Sequence, residues 1–175
     1  MSVDMKSERY LYVTPEGFSN LVLSASEDVL TEVSFVQDEA QAGLAEGLDR
    51  REASGAIGLA VKWLDIYFAG GRPDFLPPYR LLKATPFRQQ VMDLLLEIPY
   101  GRTVTYGELA RRLAEKNGKQ GSARAIGRAV GWNPIGVIIP CHRVLGADGR
   151  LTGYAGGIAN KVALLRLENV QEYHE

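Results

Sequence analysis

Apolar and polar positions alternate in short runs over the first 50 residues and recur at helical spacing over much of the remainder. Residues 10–13, 21–23 and 33–36 read as short β-strands, punctuated by Gly17, Asn20 and the acidic segment around Asp38 and Glu39. From residue 56 to 68 the apolar side chains Ile57, Ala60, Val61, Leu64, Tyr67 and Phe68 repeat every three to four positions and predict a helix. Gly70-Gly71-Arg72-Pro73 stops it, and Pro77-Pro78 continues as an extended connector. The break sets a boundary at about residue 80, dividing the chain into domains 1–80 and 81–175.

The second half opens on a strong helix signal. Thr85 is suited to cap, Pro86 to the first helical position, and Phe87, Val91, Leu94, Leu95 and Ile98 form an apolar stripe that ends at Pro99-Tyr100-Gly101. Thr105-Tyr106-Gly107-Glu108 is a capping-box pattern opening a short helix with Leu109, Ala110 and Leu113 inward. Residues 117–121 make a turn, and Ser122 is positioned to cap a further helix over 123–131. Two short helices joined by a Gly-containing turn outline a helix-turn-helix. Asn133-Pro134 breaks the chain before Val137-Ile138-Ile139, which reads as a strand. Residues 144–157 are rich in Gly and turn formers, and 158–169 is helical again, with Ile158, Val162 and Leu165 on one face.

Composition narrows the class. With 46% apolar and 23% charged residues over 175 positions, the chain is an ordinary globular protein able to bury a sizeable core. No apolar run approaches the roughly 20 residues that cross a bilayer, and the N-terminus lacks the apolar core of a secretory signal. The expected setting is reducing cytoplasm, with no membrane contact. Net charge is −1, but residues 1–80 carry 13 Asp/Glu against 7 Lys/Arg, while residues 81–175 carry 8 against 13. Arg102, Arg111, Arg112, Lys116, Lys119, Arg124, Arg128, Arg143 and Arg150 supply most of the basic excess. This half either meets a polyanion or presents a solvated helix face.

Cys141 is the single cysteine of the chain, set in Pro140-Cys141-His142-Arg143-Val144. One thiol makes no internal disulfide and no multi-cysteine metal site, so Cys141 is either a packed small hydrophobe or a nucleophile. A thiol becomes nucleophilic beside a base or positive charge. His174 lies in the last residues, which leaves His142 as the one imidazole suited to be that base. Successive side chains of an extended segment point to opposite faces, so Cys141 and His142 need a kink or a bridging water to communicate. Pro140 favours such a break. An imidazole base needs a third group to orient it, and Glu168 is available, or else is a solvent-facing helical acid.

Together with Asn133-Pro134 upstream and Gly153-Tyr154-Ala155-Gly156-Gly157 downstream, the cysteine motif closely resembles the O6-alkylguanine-DNA alkyltransferases. Thr85-Pro86-Phe87, Tyr100-Gly101, Thr105-Tyr106 and Ser122-Ala123-Arg124-Ala125-Ile126-Gly127 extend the resemblance over residues 85–169, while the first 80 residues match only in length and rough pattern. The resemblance implies an α/β two-domain fold: an N-terminal α+β domain with a ribonuclease H-like sheet and helix, and a mostly helical C-terminal domain with a helix-turn-helix, winged-helix-like element. It implies direct-reversal repair without a cofactor, in which Cys141 irreversibly takes the alkyl group from O6-alkylguanine in double-stranded DNA, regardless of sequence, with O4-alkylthymine a further candidate. In this likeness His142 acts as base through a water and Glu168 orients it. Asn133 braces the Cys141 turn, and Tyr106 donates to guanine N3 so that the purine leaves neutral. Val144, Tyr154, Ala155 and Gly156 line the pocket. The helix bearing Ala123, Ala125, Gly127 and Ala129 carries small residues that read no base edges, suited to close, sequence-independent approach in the minor groove. Arg124 fills the stack when the damaged nucleotide flips out, or else contacts a phosphate, and Arg128, Arg102, Lys116 and Lys119 contact the backbone.

Ala155 stands where some relatives carry serine, and the loop 116–121 is longer than in some. The N-terminal cysteines and histidines that hold a structural zinc in some relatives are absent, so no metal is expected. The chain is expected to act as a monomer. Three other readings make separate predictions. A lesion-binding relative without transfer lacks the acceptor cysteine, against Cys141; a winged-helix regulator reads sequence and dispenses with Cys141; a thiol hydrolase turns over an acyl substrate and has no need of Arg124.

Overall fold

A computed structural model describes residues 7–46, 48, 53–118 and 121–174. The chain divides into two compact units, one of Met1–Leu82 with Pro134–Ile138, the other of Lys83–Asn133 with Ile139–Glu175. Both helices and strands are present, so the fold is mixed α/β.

In the first unit β1 (Ser7–Tyr12), β2 (Leu21–Ser26) and β3 (Val29–Phe35) form an antiparallel sheet in that order, with Tyr12 opposite Leu21 and Leu21 opposite Phe35. Glu27 and Asp28, both at positive φ, make the two-residue turn between β2 and β3. That turn has a second use: Asp28 Oδ1 accepts the Ala56 N–H at 2.8 Å at the start of α2 (Gly55–Phe68). The buried stripe of α2, Ile57, Ala60, Leu64 and Tyr67, has the predicted spacing. A further helix, α1 (Glu39–Glu46), occupies the acidic segment that the sequence reads as punctuation.

The same unit takes up Pro134–Ile138, and here the predicted strand at 137–139 is corrected. Val33 N–H donates to Pro134 O at 2.9 Å and Gly136 N–H to Val33 O at 2.8 Å, but residues 136–138 are a turn with Val137 at φ 67°. The apolar run Ile135, Val137, Ile138, Ile139 is apolar because every one of these side chains is buried, not because it alternates across a sheet.

In the second unit α3 (Pro86–Leu96), α4 (Tyr106–Asn117) and α5 (Ala123–Trp132) pack together, and each is capped by the expected hydroxyl: Thr85, Thr105 and Ser122 accept the N–H of Arg88, Glu108 and Ala125. The Glu108 side chain turns along the helix to Arg112, at 2.6 Å. β4 (Val104–Thr105) pairs in parallel with β5 (Val144–Leu145), and α6 (Ile158–Leu167) closes the unit. The predicted inward face of α6 is also corrected. Ile158 is exposed, and the buried side is formed by Asn160, Lys161, Leu164, Leu165 and, just past the helix end, Glu168. Among the described residues no helix is long and apolar enough to cross a membrane, and no cluster of His, Cys, Asp and Glu has metal-ligand spacing.

Candidate active site

Cys141, His142 and Arg143 form a single 3-10 turn directly after Pro140, with Cys141 N–H bonded to Ile139 O at 2.8 Å. The chain is therefore helical, not extended, at the cysteine. Asn133, at the end of α5, donates from Nδ2 to the same Ile139 carbonyl at 2.8 Å, so two donors converge on the oxygen that shapes the turn.

Cys141 is 7% exposed. Burial pushes its thiol pKa up; hydrogen bonds from Asn133 and Tyr154 and the positive charge of Lys161 oppose that shift by favouring thiolate. His142 is completely buried, and its Nε2 faces Glu168 Oε1 at 3.2 Å, leaving Nδ1 as the other ring nitrogen, also buried. Burial holds the imidazole pKa below its ordinary value, with Arg143 and Lys161 adding to the effect and Glu168 opposing it. Burial thus favours the neutral imidazole, the form that accepts a proton.

Glu168 is 3% exposed and is clamped. Arg143 Nε lies 3.0 Å from both carboxylate oxygens and its terminal nitrogen 2.5 Å from one, while its other terminal nitrogen donates to Ile98 O at 2.7 Å. Burial pushes the carboxyl pKa up, but the hydrogen bonds and charges of His142 and Arg143 outweigh it and bring it to about 2. A carboxylate so fixed presents one oxygen to the imidazole in a set orientation.

Two residues escape the sequence reading. Arg143 counts there toward the basic excess and as part of the cysteine motif, with no partner of its own, yet it is buried against Glu168. Lys161 is 1% exposed, donates from Nζ to Val144 O at 2.7 Å and lies 5.9 Å from the centre of the Tyr154 ring. Burial lowers its pKa to about 8, partly offset by attraction to Cys141. The signal that could have found Lys161 is its place on α6, with buried Leu165 and Glu168 following it at i+4 and i+7.

The remaining predicted residues fall in two groups. Val144 is buried beside the cysteine turn, and Tyr154, Ala155 and Gly156 lie on the loop before α6, where Asn160 Nδ2 holds Gly156 O at 2.8 Å. Tyr106, the first residue of α4, has its hydroxyl 2.9 Å from Thr152 Oγ1. On α5, Ala123, Arg124 and Arg128 are exposed and Ala125 and Gly127 half-buried, whereas Ala129 points into the core with Ile126 and Val130. The small residues of α5 are thus shared between a surface and a core face. Arg102 and Lys116 are exposed, Lys116 pairing with Glu97; Lys119 lies outside the described residues.

Residues 86–170 match the family model described as the DNA-binding domain of 6-O-methylguanine DNA methyltransferase. A methylated-DNA–protein-cysteine methyltransferase of Mycobacterium leprae is 43% identical over 151 residues, covering 86% of this chain and 87% of the relative. The Mycobacterium tuberculosis O6-methylguanine methyltransferase crystal structure superposes with a TM-score of 0.73 at 38% identity, covering 93% of each chain. The crystal structure of M. tuberculosis OGT in complex with DNA gives a TM-score of 0.70 at 38% identity, over 93% of this chain and 91% of that one.

Proposed function

The chain belongs to the methylated-DNA–protein-cysteine methyltransferases, and from that premise we propose how its own residues divide the work of alkyl transfer. The reaction is direct-reversal DNA repair: the alkyl group of O6-alkylguanine moves to the protein's cysteine, once and irreversibly. DNA is the partner. The observation that carries the assignment of roles is the buried run from Cys141 through His142 and Glu168 to Arg143, because such a set of ionisable groups has no place in an ordinary core.

In this reading the Cys141 proton passes through one water to neutral His142, and the sulfur attacks the alkyl carbon. The carbon–O6 bond breaks with its electron pair going to O6. Tyr106 gives its proton to N3, so guanine leaves as a neutral base, and the phenolate left behind regains a proton from solvent. Glu168 stabilises the imidazolium that forms, and the thioether on Cys141 is the end product. Asn133 and Tyr154 stabilise the thiolate, and Lys161 adds positive charge. Val144, Ala155 and Gly156 complete the pocket, with only a backbone N–H at Ala155 where a hydroxyl is lacking.

The finer architecture belongs to the same proposal. The α4–turn–α5 pair acts as a helix-turn-helix of winged-helix-like type, and the sheet and helix of the first unit as a ribonuclease H-like domain. Ala123, Ala125 and Gly127 allow close approach to the minor groove, Arg128 contacts the backbone, and Arg124, exposed on α5, replaces the flipped nucleotide in the stack. The protein acts as a cytoplasmic monomer on lesions in any sequence context. Arg124→Ala is expected to slow repair of O6-methylguanine in duplex DNA at least tenfold while leaving reaction with free O6-benzylguanine unchanged. Equal loss on both substrates contradicts the flipping role.

A further inference from the structure

The Tyr106 side chain is met at its ring by α5 and at its hydroxyl by Thr152. Its ring lies across Gly127 of α5, where an added Cβ would stand 3.8 Å from two ring carbons, and its oxygen meets Thr152 Oγ1 at 2.9 Å. Thr152 is in turn fixed by its surroundings. Gly146 leaves room for its methyl, since a Cβ at that glycine would come within 2.8 Å of Thr152 Cγ2. The preceding segment is pinned by Gly146 N–H to Arg150 O at 2.8 Å, Leu151 N–H to His174 O at 2.7 Å and His174 N–H to Gly149 O at 2.8 Å. Among the described residues the side-chain partner of the Thr152 hydroxyl is Tyr106, the tyrosine assigned to the purine.

We propose that Thr152 is a positioning residue for Tyr106, aiming the phenol in the free protein and donating to its oxygen once the phenol turns its own hydrogen toward the base. The proposal rests on the reading of Tyr106 as donor to the departing purine. The chemistry favours a hydroxyl at this position over other polar groups. A carboxylate only accepts, and would hold the phenol hydrogen away from the substrate. A hydroxyl accepts from Tyr106 before substrate arrives and donates to it afterwards. As Tyr106 shares its proton with N3, negative charge builds on the phenol oxygen, and a hydrogen bond into that oxygen strengthens the next one along the chain. No covalent change occurs at Thr152; its proton stays on Oγ1 throughout.

The test is the single-turnover rate of alkyl transfer from a duplex carrying one O6-methylguanine. It is measured for the native chain, Thr152→Val, Thr152→Ser, Tyr106→Phe and the Thr152→Val/Tyr106→Phe double variant, with thermal melting of each. Valine keeps the shape and removes the hydroxyl, so Thr152→Val is expected to be about tenfold slower, at the strong end for one neutral hydrogen bond. Thr152→Ser retains the native rate, and Thr152→Val adds no further loss in the Tyr106→Phe background. A native rate for Thr152→Val overturns the proposal. So does an equal loss in Thr152→Ser, which assigns the effect to methyl packing, or a full additional loss on top of Tyr106→Phe. A native rate for Tyr106→Phe removes the donor reading and this proposal with it, whereas a slow Tyr106→Phe beside a fast Thr152→Val removes this proposal alone.

Discussion

The two units bury different chemistry. The core of the first is built from Leu21, Leu23, Leu30, Val33, Leu64 and a run of rings, with Trp63 stacked on Tyr67 and Tyr67 edge-on to Phe68. The core of the second includes Cys141, His142, Arg143, Asn160, Lys161 and Glu168, a thiol and five polar or ionisable side chains within 28 residues of sequence. Burying charges costs stability unless each is paired, and a well-packed apolar set of similar volume is often as stable or more so. The proposed alkyl transfer, rather than stability, accounts for the polar core. The first unit shows what the chain makes when stability alone decides; the second shows the same principles bent around a reaction.

Substitutions that break this contrast should differ in kind. The largest effect is expected for Arg143→Gln, which strands the buried Glu168 carboxylate: about 3–5 kcal/mol of stability lost, read by urea unfolding, together with loss of alkyl transfer. Leu64→Ala, fully buried in the first unit, costs about 2–5 kcal/mol through the cavity it leaves but keeps the transfer rate per folded molecule, measured below the unfolding transition. A loss of rate there would join the two cores functionally and erase the contrast.

Acid sharpens it. The Glu168 pKa falls from an ordinary 4.5 to about 2 on folding, so the native state binds fewer protons than the unfolded one in that interval. Its contribution of about 3 kcal/mol is present above pH 4.5 and lost as pH falls toward 2; in Glu168→Gln this component of the acid limb should vanish. The opposite end of the scale belongs to Lys161, whose pKa falls from 10.5 to about 8 on folding. Native stability therefore rises between pH 8 and 10.5, and Lys161→Met should abolish that rise. The same variant removes positive charge beside Cys141, so alkylation by a small electrophile slows about tenfold at pH 7 and the deficit shrinks as pH is raised.

How much of this was legible in the sequence follows from the same contrast. Periodicity works where buried means apolar: the α2 stripe and the caps Thr85, Thr105 and Ser122 are found where the pattern puts them. It fails on α6, where Asn160 and Lys161 hold core positions and divert the apparent face toward exposed Ile158. It fails again at residues 137–139, because a run buried on every side carries no period. The motif around Cys141 points to the family, and the contact of Glu168 with His142 at 3.2 Å is the one the sequence reading expects of an orienting acid. The clamp of Arg143 on that acid, the contact of Lys161 with Val144 O and the pairing of Thr152 with Tyr106 are not legible there, since each joins residues 17 to 46 positions apart through a geometry only the fold creates.

The most direct test of the central assignment is intact mass spectrometry of the full chain after incubation with a duplex carrying one O6-methylguanine, with Cys141→Ser as control. Expected is a gain of one methyl, mapped to Cys141, saturating at one per chain and absent from the control. No gain while the lesion is still bound, or a gain mapped to another residue, would contradict the role of Cys141 as alkyl acceptor.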